Sequence, residues 1–282
     1  IMATIAVMGS VNLDIVAKAA KLPAPGETIT GAELFRFPGG KGANQALAAK
    51  RLGADVSLIA RVGDDAAADE ALALLREGGV DLSNTQAAAG VATGTALIAV
   101  APSGENQIVV APGANRMLEP GDFELPDADA LICQLEVPVD TVAHAAQTYD
   151  GFFCVNLAPA MRLDVAVLQR ADLVVVNESE AAWYGETLAA CGNMVATTRG
   201  AGKATLQKDG ELIAEATPPA VEAVDTTGAG DTFTAALTVA LAEGQQPTDA
   251  LVFACAAGSL ATTRMGAQTS LPTRDEVDRS VE

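Results

Sequence analysis

Short, uninterrupted apolar runs alternate along this chain with longer stretches in which apolar positions recur at helical spacing. The first run, residues 5–8, reads as a buried strand, and 56–60 and 66–76 read as a strand and then a helix with one apolar face. From Ala130 the alternation becomes regular. Strands are predicted over 130–135, 152–156, 173–176 and 194–197, with helices over 140–148 and 165–170 between them. A further strand is predicted over 220–224, followed by helices over 233–241 and 249–263 and a polar helix at the C-terminus. Strand–helix–strand alternation of this kind builds right-handed βαβ units and a mostly parallel sheet with helices on both faces.

A second pattern lies within the first part of the chain. Residues 95–101 and 106–111 flank the turn Pro102-Ser103-Gly104-Glu105 and predict a hairpin. Together with strand-like segments at 12–18 and 28–38, the region 94–111 is expected to form a small sheet apart from the main one, a candidate lid. The whole chain, 1–282, is expected to be one α/β domain, a three-layer sandwich with this small β-sheet added.

Composition narrows the partners. A net charge of −19 over 282 residues argues against nucleic acid and anionic membrane surfaces. No apolar run approaches membrane-spanning length, and residues 1–9 lack the charged start of a signal peptide, so a cytoplasmic protein is expected. The cysteines Cys133, Cys154, Cys191 and Cys255 are scattered without metal-ligand spacing and read as reduced, buried thiols. The single histidine, His144, reads as a surface residue and leaves no histidine triad or multi-histidine metal site.

The chemistry concentrates where predicted strands end. Asp225-Thr226-Thr227-Gly228-Ala229-Gly230-Asp231-Thr232-Phe233 opens an apolar helix, and its glycines permit a tight turn and close approach of a ligand. The unpaired N–H groups and dipole of such a helix start suit an anion, most often phosphate. Asp231 is then either a helix cap or a base that takes a proton from a hydroxyl attacking the phosphate. Gly39-Gly40-Lys41-Gly42-Ala43-Asn44-Gln45-Ala46 is a second glycine-rich loop opening a helix. It is not a Walker A loop, because Gly42 follows Lys41; Lys41 can offset phosphate charge and Asn44 can bond a hydroxyl. Asn12 and Asp14 share one face of an extended segment, where they form either a polar turn or a grip on adjacent sugar hydroxyls. Asn177 and Glu180 are spaced for a capping box or for ordering water around a magnesium ion. The stretch Thr198-Arg199-Gly200-Ala201-Gly202-Lys203 reads as a third glycine-bearing loop after a strand, placed to lie along a nucleotide.

These motifs, in this order and with Asn177-Glu178-Ser179-Glu180 between them, resemble the ribokinase-like (PfkB) family of sugar and nucleoside kinases over nearly the whole chain. The resemblance implies ATP-dependent phosphorylation of ribose at O5, with another sugar, fructose-like, or a nucleoside as the alternative acceptor. It implies a sugar site of Asn12, Asp14, Gly40, Lys41, Asn44 and Glu136, and Asp231 as the base. Gly228, Ala229 and Gly230 would form the anion hole; Asn177 and Glu180 would lie near phosphates and Mg2+; Thr197, Gly200 and Gly202 would line the nucleotide. A K+ activator would sit among Asp225, Thr227, Ala261, Arg264, Gly266 and Ser270. A homodimer through the β lid is also implied. Two departures from the family pattern stand out: Arg199 replaces a usual glycine and could add a phosphate contact, and the segment between Glu180 and Met194 is short, as if a strand–helix portion were trimmed.

Overall fold

The computed structural model describes residues 2–189 and 193–281; Cys191 lies outside the described residues. In chain order the first half holds β1 (Thr4–Met8), β2 (Asn12–Lys18), β3 (Glu33–Gly39), α1 (Lys41–Arg51), β4 (Asp55–Gly63), α2 (Ala66–Glu77), β5 (Thr85–Ala88), β6 (Gly94–Val100) and β7 (Asn106–Ala111). Then come β8 (Ala130–Cys133), α3 (Val139–Thr148), β9 (Phe152–Asn156), α4 (Val165–Arg170), β10 (Leu173–Asn177), α5 (Glu178–Tyr184) and α6 (Glu186–Ala189). The chain finishes with β11 (Met194–Arg199), β12 (Gly202–Lys208), β13 (Glu211–Ala216), α7 (Ala229–Ala242), α8 (Pro247–Ala261) and α9 (Arg274–Val281).

Nine strands form one sheet in the order β13-β12-β11-β10-β9-β8-β1-β4-β5. Pairing is parallel from β11 to β5 and antiparallel only across β11-β12 and β12-β13. Side chains alternate across the sheet, so each face has its own core. In β1, Ile5 and Val7 pack with residues of α1, α2, α7, α8 and α9, whereas Ala6 and Met8 pack with residues of α3, α4 and α5. This is the expected three-layer arrangement. The second sheet has the order β3-β2-β6-β7, and its register sets Asn12 opposite Gly39 and Asp14 opposite Phe37.

Three local expectations need correction. Residues 28–32 are not part of β3: the chain there is mostly exposed and turns at Gly31, with φ 82°. Residues 220–224 form no strand; the sheet edge is taken instead by the β12–β13 hairpin. That hairpin turns at Asp209 and Gly210, both with positive φ (52° and 81°), the backbone of a type I′ turn. The stretch 198–203 is the tight turn of another hairpin, β11–β12, rather than an open loop. The shortened segment before Met194 leaves no gap in the sheet, since β10 and β11 pair directly with α5 and α6 as their crossover. His144 is half-buried, with its ring edge-on to Phe123. Cys133, Cys154 and Cys255 are free and buried, as expected.

Candidate active site

The two glycine-rich loops meet at the carboxyl ends of the parallel strands. Gly228, in the left-handed region at φ 79°, caps α7, and helix α1 starts directly after Gly40 at φ 89°. These turns bring the first residues of both helices together. Asp231, 6% exposed, accepts from Asn44 Nδ2 on one oxygen and from Gln45 Nε2 on the other, both at 2.9 Å. The N–H groups of Gly228 and Gly230 find no protein acceptor among the described residues, so the start of α7 presents donors to a cleft.

That cleft, of about 220 Å³, is lined by Lys41, Asn156, Asn177, Glu180, Thr198 and Thr226, with Gly228, Gly230 and Asp231 at one wall. Lys41 forms no ion pair among the described residues. The nearby Asp231 charge raises its pKa, joined by Glu136 and Glu180 and opposed by burial, so Lys41 stays cationic. Asn177 and Glu180 do form a capping box: Asn177 Oδ1 accepts from Glu180 N and Glu180 Oε2 from Asn177 N. Both also face the cleft, so the capping and site readings are compatible. Burial raises the Glu180 pKa, with Asp231 adding to it and the Asn177 N–H and Lys41 working against it.

On the far side of Asp231 lies a second group of polar residues. Asn12 is buried, its Oδ1 held by Asn115 Nδ2 at 2.8 Å. Glu136 accepts from the Ser10 hydroxyl and from Lys41 N at 3.1 Å. The Asp14 carboxyl makes no protein hydrogen bond among the described residues, and burial, then Glu136, then Asp231 push its pKa up to about 7. A Cβ on Gly39 would lie 2.3 Å from Asp14 Oδ2, and one on Gly40 would lie 2.7 Å from Asn12 N. The glycines therefore make room for this carboxylate and strand. Asn44 Oδ1 is buried without a partner, which leaves an acceptor for a ligand hydroxyl.

A carboxylic acid with a folded-state pKa above its unfolded one is costly once ionised, so its penalty is full above about pH 7 and absent below about pH 4. Asp14→Asn is therefore expected to stabilise the ligand-free protein at pH 8, by on the order of 2 kcal/mol. The gain should vanish as pH falls toward 4. Thermal melts of both proteins across this range check it; a gain that grows on acidification contradicts it.

Among the nucleotide-side residues, Thr197 is buried within β11 and Thr198, one residue on, faces the cleft. Strand alternation turns the two side chains to opposite faces. Gly200, in the exposed β11–β12 turn, and Gly202, the exposed first residue of β12, do not line the cleft. Arg199 points to the other side, donating to Lys203 O (3.0 Å) and Thr205 Oγ1 (3.2 Å) and pairing with Glu178 at 3.7 Å. It is thus committed to the hairpin rather than to a phosphate.

Of the residues expected around a monovalent cation, Asp225, Thr227 and Gly266 meet. Asp225 accepts from Thr227 Oγ1 (2.6 Å), Thr227 N (2.9 Å) and Gly266 N (2.9 Å). Burial opposes ionisation there, but these bonds and Lys18 outweigh it and hold the pKa low. The backbone oxygens of Thr227, Ala261, Arg264 and Gly266 find no donor among the described residues. An all-oxygen donor set of this kind fits a hard cation such as K+. The Arg264 side chain turns away to Glu276 at 2.7 Å, and Ser270 Oγ donates to Ala267 O. No cluster of three or more His, Cys, Asp or Glu that could hold a metal occurs among the described residues. A divalent ion would rest on phosphates and water, with Glu180 the carboxylate beside them.

A mostly parallel α/β sheet, a helix start with unpaired N–H groups and a buried carboxylate beside it suit the transfer of a phosphoryl group to an alcohol. The family model for pfkB family carbohydrate kinases matches residues 2–274. A ribokinase of Bacillus subtilis is 38% identical over 292 residues, spanning 98% of this chain and 99% of the relative. The crystal structure of a Thermotoga maritima ribokinase superposes with TM-score 0.90 at 32% identity, covering 99% of both chains. An Arabidopsis thaliana ribokinase complexed with ribose and ATP superposes with TM-score 0.89 at 29% identity, covering 100% of this chain and 99% of that one. The chain belongs to the pfkB family of carbohydrate kinases.

Proposed function

We propose that this chain transfers the γ-phosphoryl group of ATP to the O5 hydroxyl of D-ribose. The observation that carries this reading is the place of Asp231: buried, held by two amides, and set between unpaired helix N–H groups and a group of polar residues suited to a sugar. Asn12, Asp14, Gly40, Lys41, Asn44 and Glu136 hold the sugar hydroxyls. Asp231 takes the O5 proton as O5 attacks the γ-phosphorus; the bond to the bridging oxygen breaks, and ADP leaves with ribose 5-phosphate as product. The N–H groups of Gly228, Ala229 and Gly230 and the Lys41 ammonium meet charge that builds on the transferring group. Ala229 N also has a long bond to Thr226 O at 3.3 Å, so Gly228 and Gly230 are the freer donors.

Mg2+ would neutralise phosphate charge beside Glu180 and Asn177, and K+ bound by the oxygens around Asp225 would set the anion-hole loop. Thr198 takes the nucleotide-side role in place of Thr197. The four-stranded sheet acts as a lid that excludes water over the sugar. Its edge strand β7 is exposed along its length, with Ile108, Val109 and Val110 each at least half exposed. Such an edge suits pairing with a second copy, a homodimer through the lid. Among the described residues no helix is long and apolar enough to cross a membrane. The free buried thiols fit a reducing cytoplasm.

ADP release coupled to a sugar panel tests the reading. Ribose with Mg-ATP and K+ should give the highest kcat/KM, and turnover with fructose or adenosine but not ribose would overturn it. Gly230 offers a further check. A Cβ there meets no atom within 4 Å, and the residue lines the cleft. Gly230→Ala should leave stability unchanged or raise it by about 0.5 kcal/mol, yet lower kcat/KM at least tenfold, since the methyl enters the phosphate space. Unchanged kinetics would place the phosphate elsewhere.

A further inference from the structure

The amide that holds one oxygen of Asp231 is itself oriented by a buried chain of amides. Gln134 Nε2 donates to Gln45 Oε1 at 2.6 Å. Gln45 Nε2 then donates to Asp231 Oδ1 (2.9 Å) and to Asn156 Oδ1 (3.1 Å). Asn156 in turn donates from Nδ2 to Val175 O at 3.1 Å. Gln45 and Gln134 are fully buried, and neither lines the cleft. We propose that Gln45, polarised by Gln134, is a positioning residue for the reaction, fixing the direction in which Asp231 presents its basic lone pairs.

The argument is one of polarity. A primary amide has one accepting and one donating end. A donor from Gln134 fixes the Gln45 oxygen toward β8, so its nitrogen must face Asp231. Asn156, fixed at its nitrogen by a backbone carbonyl, presents only its oxygen to Gln45. The Asn156 end of the relay is bonded to β10 and Gln134 follows directly on β8, so both ends stand on the main sheet. Without the Gln45 donor, Asp231 would keep only the Asn44 bond on its other oxygen, and its direction would be less fixed.

A second observation sets this relay apart from ordinary packing. Gln134 Oε1 is buried with no hydrogen-bond partner, an arrangement that folded proteins seldom keep without a use. A Cβ on Gly9 would lie 1.9 Å from that same oxygen. The chain thus gives up a side chain at position 9 and leaves an acceptor unpaired, and what it obtains is a donor aimed at Gln45.

The proposal rests on Asp231 being the base, and a kinetic cycle separates the two claims. Wild type, Gln45→Met, Asp231→Asn and the double variant are compared for kcat and sugar KM, with Gln134→Met as a second entry to the relay. Gln45→Met is expected to lower kcat by about tenfold to a hundredfold with sugar KM within about twofold, the signature of lost positioning rather than lost binding. In the Asp231→Asn background the same change should alter the residual rate less than about twofold, because groups acting as a unit do not add. Gln134→Met should repeat the pattern more weakly. Losses that multiply in the double variant, a rise in KM at constant kcat, or loss of fold in both relay variants would each overturn the proposal. An Asp231→Asn enzyme at full rate would remove the base assignment and the relay with it. A collapsed Asp231→Asn beside an unaffected Gln45→Met would remove the relay alone.

Discussion

Asp231→Asn is expected to lower kcat by about a thousandfold, the middle-to-upper range for a general base. The loss should fall on kcat rather than on KM. Asn keeps the size and shape of the side chain at a site that is 6% exposed, so the cleft walls stay in place. It cannot accept the hydroxyl proton. Its amide nitrogen would also confront the donor of either Asn44 or Gln45, each of which now points at a carboxylate oxygen. That mismatch predicts a modest drop in Tm alongside the kinetic collapse, and removal of one negative charge leaves Lys41 without the neighbour that does most to raise its pKa. Steady-state kinetics with melts of both proteins checks this. A variant with a tenth or more of the wild-type kcat would mean that the attacking hydroxyl loses its proton to another group or directly to phosphate oxygen.

Gly42→Ala is expected to be among the more damaging small substitutions beside the site. An added Cβ would lie 2.6 Å from both Gly9 C and Ser10 N, which are backbone atoms with no rotamer to yield. The first turn of α1 is laid on the β1–β2 connection, with Ala43 N bonded to Ser10 O at 2.9 Å and the Ser10 hydroxyl tied to Glu136. Relief of the clash must lift α1 away, and Lys41, Asn44 and Gln45 travel with it. Overpacking of this kind costs about 1–3 kcal/mol, and the displaced site should lose at least tenfold in kcat/KM, because small misplacements of reacting groups are expensive. Gly230→Ala is the matched control, since the same methyl added there meets no protein atom within 4 Å. Equal Tm values for the two variants would contradict the close approach at Gly42.

The parts of this molecule that were legible in the sequence are those whose signal is local. Alternation after Ala130 foretells the parallel strands β8, β9 and β10, because each is buried on both faces and reads as an apolar run. Glycine pairs beside a helical pattern foretell the starts of α1 and α7. The hairpin β12–β13 had a local signal too, Asp209-Gly210, but Glu211–Ala216 is largely exposed on one side and lacks the apolar continuity of the core strands. Residues 220–224 carry valines without a strand partner, and Val224 is 60% exposed. Which of Thr197 and Thr198 faces the cleft turns on strand phase, which an assignment one residue off inverts.

The amide relay had no sequence signal at all. Gln45 stands within a recognisable motif, but its partners are 89, 111 and 186 positions away, and only the sheet order brings them together. The same holds for Arg199, whose pairing with Glu178 and Thr205 depends on how the β11–β12 turn lies against α5. Motifs identify residue types that chemistry needs; topology decides which of them touch.

The central claim is transfer of phosphate to one particular hydroxyl, and phosphorus and carbon NMR of the product tests it most directly. With 13C-labelled ribose, Mg-ATP and K+, phosphorus coupling should appear at C5 in step with the ADP signal, and no free phosphate should accumulate. Phosphate on C1, or ADP formed together with free phosphate while ribose stays unchanged, would contradict the account.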